Sequence, residues 1–79
     1  MADGMVQEMA NQLAEECLSL QAKTGDDRLF MQLAEVLGAS SQTLEEAFLT
    51  AIRTRMAELQ GRAFLNRKLE EYRVKQDDA

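Results

Sequence analysis

The side chains able to carry chemistry in this 79-residue chain are carboxylates and one thiol. Acidic residues stand side by side at Glu15-Glu16, Asp26-Asp27, Glu45-Glu46, Glu70-Glu71 and Asp77-Asp78. Two carboxylates can share general acid and general base work only when both reach one substrate atom. Neighbours on a helix point about 100° apart, so these pairs diverge and read as solvated faces or helix-start charges. No histidine is present, which removes the usual proton shuttle and the base of a serine or cysteine triad. The four glycines are isolated and make no phosphate loop. Cys17 could be a redox thiol or bridge two copies, yet no basic residue lies near it in sequence to lower its pKa. It reads instead as a small buried hydrophobe. One cysteine without histidine cannot build a thiolate or imidazole metal cage. The expectation is a chain that is no enzyme and takes no cofactor or metal.

What must position these side chains is helical. Proline is absent, β-branched residues are scarce, and no segment alternates with period two. The predicted fold class is all-α: a small bundle of three helices in a single domain over residues 1–79. A first helix spans about 3–23, with Val6, Ala10, Leu13, Cys17 and Leu20 on a heptad seam that Met9 widens. Asp3 is placed to cap its start, and Gly25 to end it in a left-handed conformation. A second helix spans about 27–37, capped by Asp26 or Asp27 and stopped at Gly38. Its apolar residues are so dense that it is expected to be the most buried element. A third spans about 43–75, opened by a Thr43–Glu46 capping box and supported by Glu58–Arg62 and Glu71–Lys75 pairs. Residues 76–79 are expected to be a disordered tail. The five methionines, Met5 and Met9 among them, read as core rather than as a binding patch.

The third helix changes face along its length. Leu44, Phe48, Ile52, Met56, Leu59 and Ala63 fall within about 120°, whereas Leu65, Leu69 and Tyr72 lie roughly 120° from the middle of that stripe. Either the helix kinks at Gly61 to bring both stripes to one core, or it continues and offers the second stripe to another subunit. The continuous helix is preferred, with dimerisation completing the bundle. A domain this small rarely supports its core alone, and neither disulfide nor metal is available to help it. Charge is uneven too. Two basic residues stand against nine acidic up to Ala51, and seven against five beyond, giving −7 and +2 for a net charge of −5.

Leu33-Ala34-Glu35-Val36-Leu37-Gly38-Ala39-Ser40-Ser41-Gln42-Thr43-Leu44 resembles the helix-turn-helix segment of bacterial transcription regulators, over about residues 29–48. Ala34, Gly38 and Leu44 match its mid-helix Ala, turn Gly and following aliphatic residue. Leu33, Leu37 and Ala47 stand at its other apolar positions. The resemblance implies a dimer that binds DNA, with Ser40, Ser41, Gln42, Glu45 and Glu46 near base and phosphate. Arg53, Arg55 and Arg62 would then meet phosphates, and Thr43 would stand with Ser41 and Gln42 on the exposed helix start. The sequence departs from this pattern in charge: the helix opens with Glu45 and Glu46 and has no basic residue before Arg53.

Two function classes follow. The first is a non-enzymatic protein–protein interaction module (a regulatory adaptor, inhibitor or chaperone-like subunit) that self-associates through Val6, Met9, Leu13, Leu65, Leu69 and Tyr72. Its expected partners are a second copy and another protein. The alternative is a dimeric helix-turn-helix regulator contacting DNA through Ser41, Gln42, Thr43, Arg53 and Arg55, a reading that the acidic charge disfavours. No membrane partner is expected, because no apolar run is long enough to span and polar faces are acidic. A lone cysteine and the lack of a signal-peptide pattern lead to a cytoplasmic expectation.

Overall fold

The computed structural model describes the backbone of residues 2–78 and the side chains of residues 4–77. It contains three helices, α1 (Ala2–Thr24), α2 (Leu29–Ser40) and α3 (Gln42–Asp78), and no strand among the described residues. The all-α bundle expected from composition is therefore what the chain forms. Helix α1 is already under way at Asp3; the cap assigned to that side chain lies outside the described residues, as do Met1 and the last residue of the expected tail. Residues 76–78 continue α3 where a disordered tail was expected.

Helix α1 ends through a left-handed glycine. Gly25 has φ 76°, and its N–H donates to the Gln21 carbonyl at 2.8 Å. That geometry satisfies one of the carbonyls a helix C-terminus leaves unpaired. Thr24 Oγ1 donates back to the Leu20 carbonyl and accepts the Asp26 N–H, closing the corner.

Helix α2 begins later than expected and is not capped by an aspartate. Asp26 Oδ1 accepts the Arg28 N–H at 3.0 Å in a local turn, and Arg28 at the cap position makes no side-chain bond. The first turn is served from the preceding helix: Gln21 Oε1 accepts the Phe30 N–H at 2.9 Å. Helix α2 also runs through Gly38 to Ser40 instead of stopping. Gly38 has no left-handed backbone, and a Cβ there would lie 2.8 Å from Glu45 Cδ, so the glycine makes room for a side chain of α3. One extended residue, Ser41 (φ −152°, ψ 104°), joins α2 to α3. Its N–H donates to the Leu37 carbonyl at 2.7 Å, and its Oγ accepts the Leu44 N–H at 3.1 Å. Ser41 therefore does the capping assigned to Thr43, which is already helical and cannot adopt the extended cap conformation.

The enclosed core is small: Ala10, Ala14 and Cys17 from α1, Ala34 from α2, and Phe48, Ala51 and Ile52 from α3. Leu13, Leu18, Leu29, Phe30, Leu33, Leu37, Leu44 and Met56 pack half-buried around it. Of α2 only Ala34 is buried and Val36 is 67% exposed, so α2 is not the most buried element. Its apolar residues circle too much of the helix for one interface to cover. The methionines divide similarly, for Met56 packs on the core whereas Met5, Met9 and Met31 are exposed.

Two substitutions test this account. Gln21→Leu strands the Phe30 N–H and should lower stability in urea melts by about 1 kcal/mol, while Gln21→Glu, which keeps an acceptor, should hold it. Gly38→Ala should raise stability by about 0.5–1 kcal/mol, because a helical glycine is being replaced and the flexible Glu45 carboxylate can swing aside. A glycine held in a left-handed turn would respond with the opposite sign.

Candidate interaction surface

Beyond Met56, every described side chain of α3 is exposed, from Ala57 to Asp77. At 1.5 Å per residue this arm is about 30 Å long, roughly half of the molecule's 59 Å longest dimension. Helical structure continues through Gly61, and neither stripe beyond it folds back onto the bundle. Leu65, Leu69 and Tyr72 are 64%, 45% and 59% exposed, and Leu59, Phe64 and Val74 are exposed around them.

The arm's internal support is local. Arg62 Nη2 bonds Glu58 Oε2 at 2.9 Å, Lys68 Nζ meets Glu71 at 3.2 Å, and Arg73 Nη1 meets Glu70 at 3.5 Å. Glu71 thus pairs with Lys68 one turn earlier instead of the expected Lys75. The Lys68 ammonium also lies 5.8 Å from the Phe64 ring centroid. Each such exposed pair contributes only about 0.2–0.5 kcal/mol, whereas most helical stability in proteins comes from tertiary packing of an apolar face.

The α1 seam has a different fate from the arm. Ala10 and Cys17, with Ala14 beside them, are consumed by the bundle's own core, and Val6 and Leu13 are half-buried. Of the α1 residues expected at a partner surface only Met9 is exposed, and it is separated in sequence and element from the arm. Leu13 instead lines an apolar groove of about 430 Å³ between α1 and α2, together with Cys17, Leu20, Leu29, Leu33 and Val36. Sequence reasoning missed this groove. Its signal was present in α2, where Leu29, Leu33 and Val36 form a stripe beside the core-facing Phe30, Ala34 and Leu37.

The residues assigned to DNA contact fall into three groups. Gln42 and Thr43 are exposed at the start of α3, and Arg53 is exposed further along. Ser41 is half-buried, with its hydroxyl engaged as the α3 cap. Arg55 is turned onto α1: its Nη2 donates to Glu15 Oε1 at 3.3 Å and to the Asn11 carbonyl at 3.4 Å, while Nε is buried without a partner. Gly38, assigned to the turn, lies inside α2.

Among the described residues no three His, Cys, Asp or Glu side chains gather as a metal-binding group, and no helix is long and apolar enough to cross a membrane. Compared with known protein families, with curated proteins and with solved structures, the chain matches none.

Burial pushes the Cys17 thiol up from its ordinary 9.0. Because the native state holds the proton to higher pH than the unfolded chain, this site's stabilising contribution is complete below pH 9.0 and is lost as pH rises through the native value. Native Cys17 should react with a thiol reagent at pH 8 at least about tenfold more slowly than in denaturant. Cys17→Ala should remove part of the stability loss seen above pH 9.

Proposed function

We propose that this chain is a non-enzymatic helical interaction module that self-associates through the exposed half of α3 and serves as a regulatory adaptor or inhibitor. The observation that carries this reading is the arm itself. A helix of roughly 30 Å holds Leu65, Leu69 and Tyr72 exposed on one side, at the i, i+4, i+7 spacing by which a helix lies against an apolar partner. Packing against such a partner stabilises a helix that its own i, i+3 and i, i+4 pairs support weakly. The small core favours the same reading, since a domain of this size gains most from added burial. A working compartment such as the cytoplasm, and a bacterial source, belong to this proposal as its setting.

A second reading, a dimeric DNA-binding regulator, draws support from exposed Gln42 and Thr43 at the start of α3. Glu45 and Glu46 on the same turn, and the engagement of Arg55 with Glu15, weigh against it. Fluorescence anisotropy of an arbitrary duplex at low salt separates the two, because phosphate attraction requires no particular operator.

The interaction reading makes a direct prediction in sedimentation equilibrium. At tens of micromolar the wild-type chain should be a dimer or larger, and Leu69→Glu should shift it at least tenfold toward monomer. At concentrations low enough for both chains to be monomeric, helical circular dichroism and the urea midpoint should barely differ between them, since the site is exposed. A wild-type chain that remains monomeric to high micromolar would refute the reading.

A further inference from the structure

Resting on that self-association reading, we propose that the occupant of the α1–α2 groove is the α3 arm of a second copy of this chain. The groove and the arm are complementary in shape and in charge. The groove presents Leu13, Leu20, Leu29, Leu33 and Val36 along an apolar trough of about 430 Å³, with Leu20 and Val36 47% and 67% exposed. A trough between two helices accepts a third helix bearing large side chains at i, i+4 and i+7. Leu65, Leu69 and Tyr72 have that spacing and fall within about 60° of one another around α3.

Charge selects between the two ways of covering the stripe. Arg62 and Arg73 flank it on one side and Lys68 and Lys75 on the other, each within roughly 60° of its edge, while Glu70 and Glu71 point to the opposite face. One carboxylate, Glu58, lies in line with the stripe at the base of the arm, where Arg62 bonds it. Two arms laid against each other bring these cation edges together, a like-charge juxtaposition that the exposed pairs of Arg62, Lys68 and Arg73 with carboxylates of the same arm offset only in part. The groove instead has one charged side chain in its lining, the carboxylate of Glu16. Glu15, its neighbour in sequence, is not part of the lining and pairs with Arg55 of α3. A cation-edged apolar helix therefore meets an apolar trough whose one charged lining residue is a carboxylate. When the exchange is reciprocated, each copy supplies one arm and one groove, and the contact closes as a two-fold dimer.

Cross-linking of single-cysteine chains tests the pairing, after sedimentation has established that the wild type associates. A monomeric wild type sinks the self-association reading and this proposal together; an associating wild type isolates the proposal. Gln76→Cys places a thiol on the arm in line with the stripe, and Gln32→Cys places one on the groove wall. Because Cys17 lines the groove, both variants carry Cys17→Ala as well, and the Cys17→Ala chain alone sets the background for a short bismaleimide. The expected result is a cross-linked dimer only when the two variants are mixed. Equal cross-linking by Gln76→Cys alone would show arm-to-arm pairing, and an associating mixture that stays at background would show contact elsewhere; either overturns the proposal. Salt gives an independent readout. Association should weaken several-fold between 50 mM and 500 mM salt, and strengthening would be the signature of like-charged arms. Val36→Glu, at an exposed groove position, should weaken association at least tenfold without unfolding the bundle.

Discussion

Phe48 and Ile52, one turn apart on α3, are the two large side chains that the bundle encloses fully, and what surrounds them is small: Ala10, Ala14, Cys17, Ala34 and Ala51. Small residues allow three helix backbones to close on one aromatic and one aliphatic group without voids. Fully burying two such side chains contributes about 1.5–3 kcal/mol each, a modest driving force against the conformational entropy of so many residues. The half-buried leucines at the margin extend this centre but leave much apolar surface at its edges, on Leu20 and Val36 above all. A core this limited makes every polar tie between helices count.

Two such ties stand out. Gln21 reaches from the last turn of α1 to the first turn of α2 and accepts a backbone donor that the local sequence leaves uncapped. Its amide oxygen does for α2 what Asp26 and Asp27 do not, because those residues form the corner itself. Arg55 joins α3 to α1 where α3 leaves the bundle, since Met56 is the last half-buried residue of that helix. The ion pair with Glu15 is largely solvated and contributes little by itself. It lies where the packed half of α3 ends and the exposed arm begins.

The arm is a consequence of helix regularity. A straight helix rotates its side chains by about 100° per residue, so a stripe displaced around the axis cannot return to the same core without a kink. Gly61 permits one, yet α3 continues without interruption, carrying Leu65, Leu69 and Tyr72 away from Phe48 and Ile52. The surplus on the arm and the surplus in the α1–α2 groove are thus matched products of one shortage. Three helices of these lengths, with this composition, carry more apolar surface than one small centre can cover.

Much of the architecture was legible in residue order. Helix-forming composition, Gly25 at the end of α1 and the Phe48–Ile52 stripe each depend on local chemistry or on period alone, and so did the displaced stripe of Leu65, Leu69 and Tyr72. What tertiary structure decided depended on contacts between elements. The sequence could not say that Gln21 caps another helix, or that Gly38 is helical and makes room for Glu45. Nor could it say that Arg55 faces α1 rather than solvent. It placed Val6 and Leu13 on a seam without revealing that the chain's own core takes up most of it. Periodicity identifies which residues share a face; only the packing of three helices determines which faces are covered by the chain itself and which stay exposed.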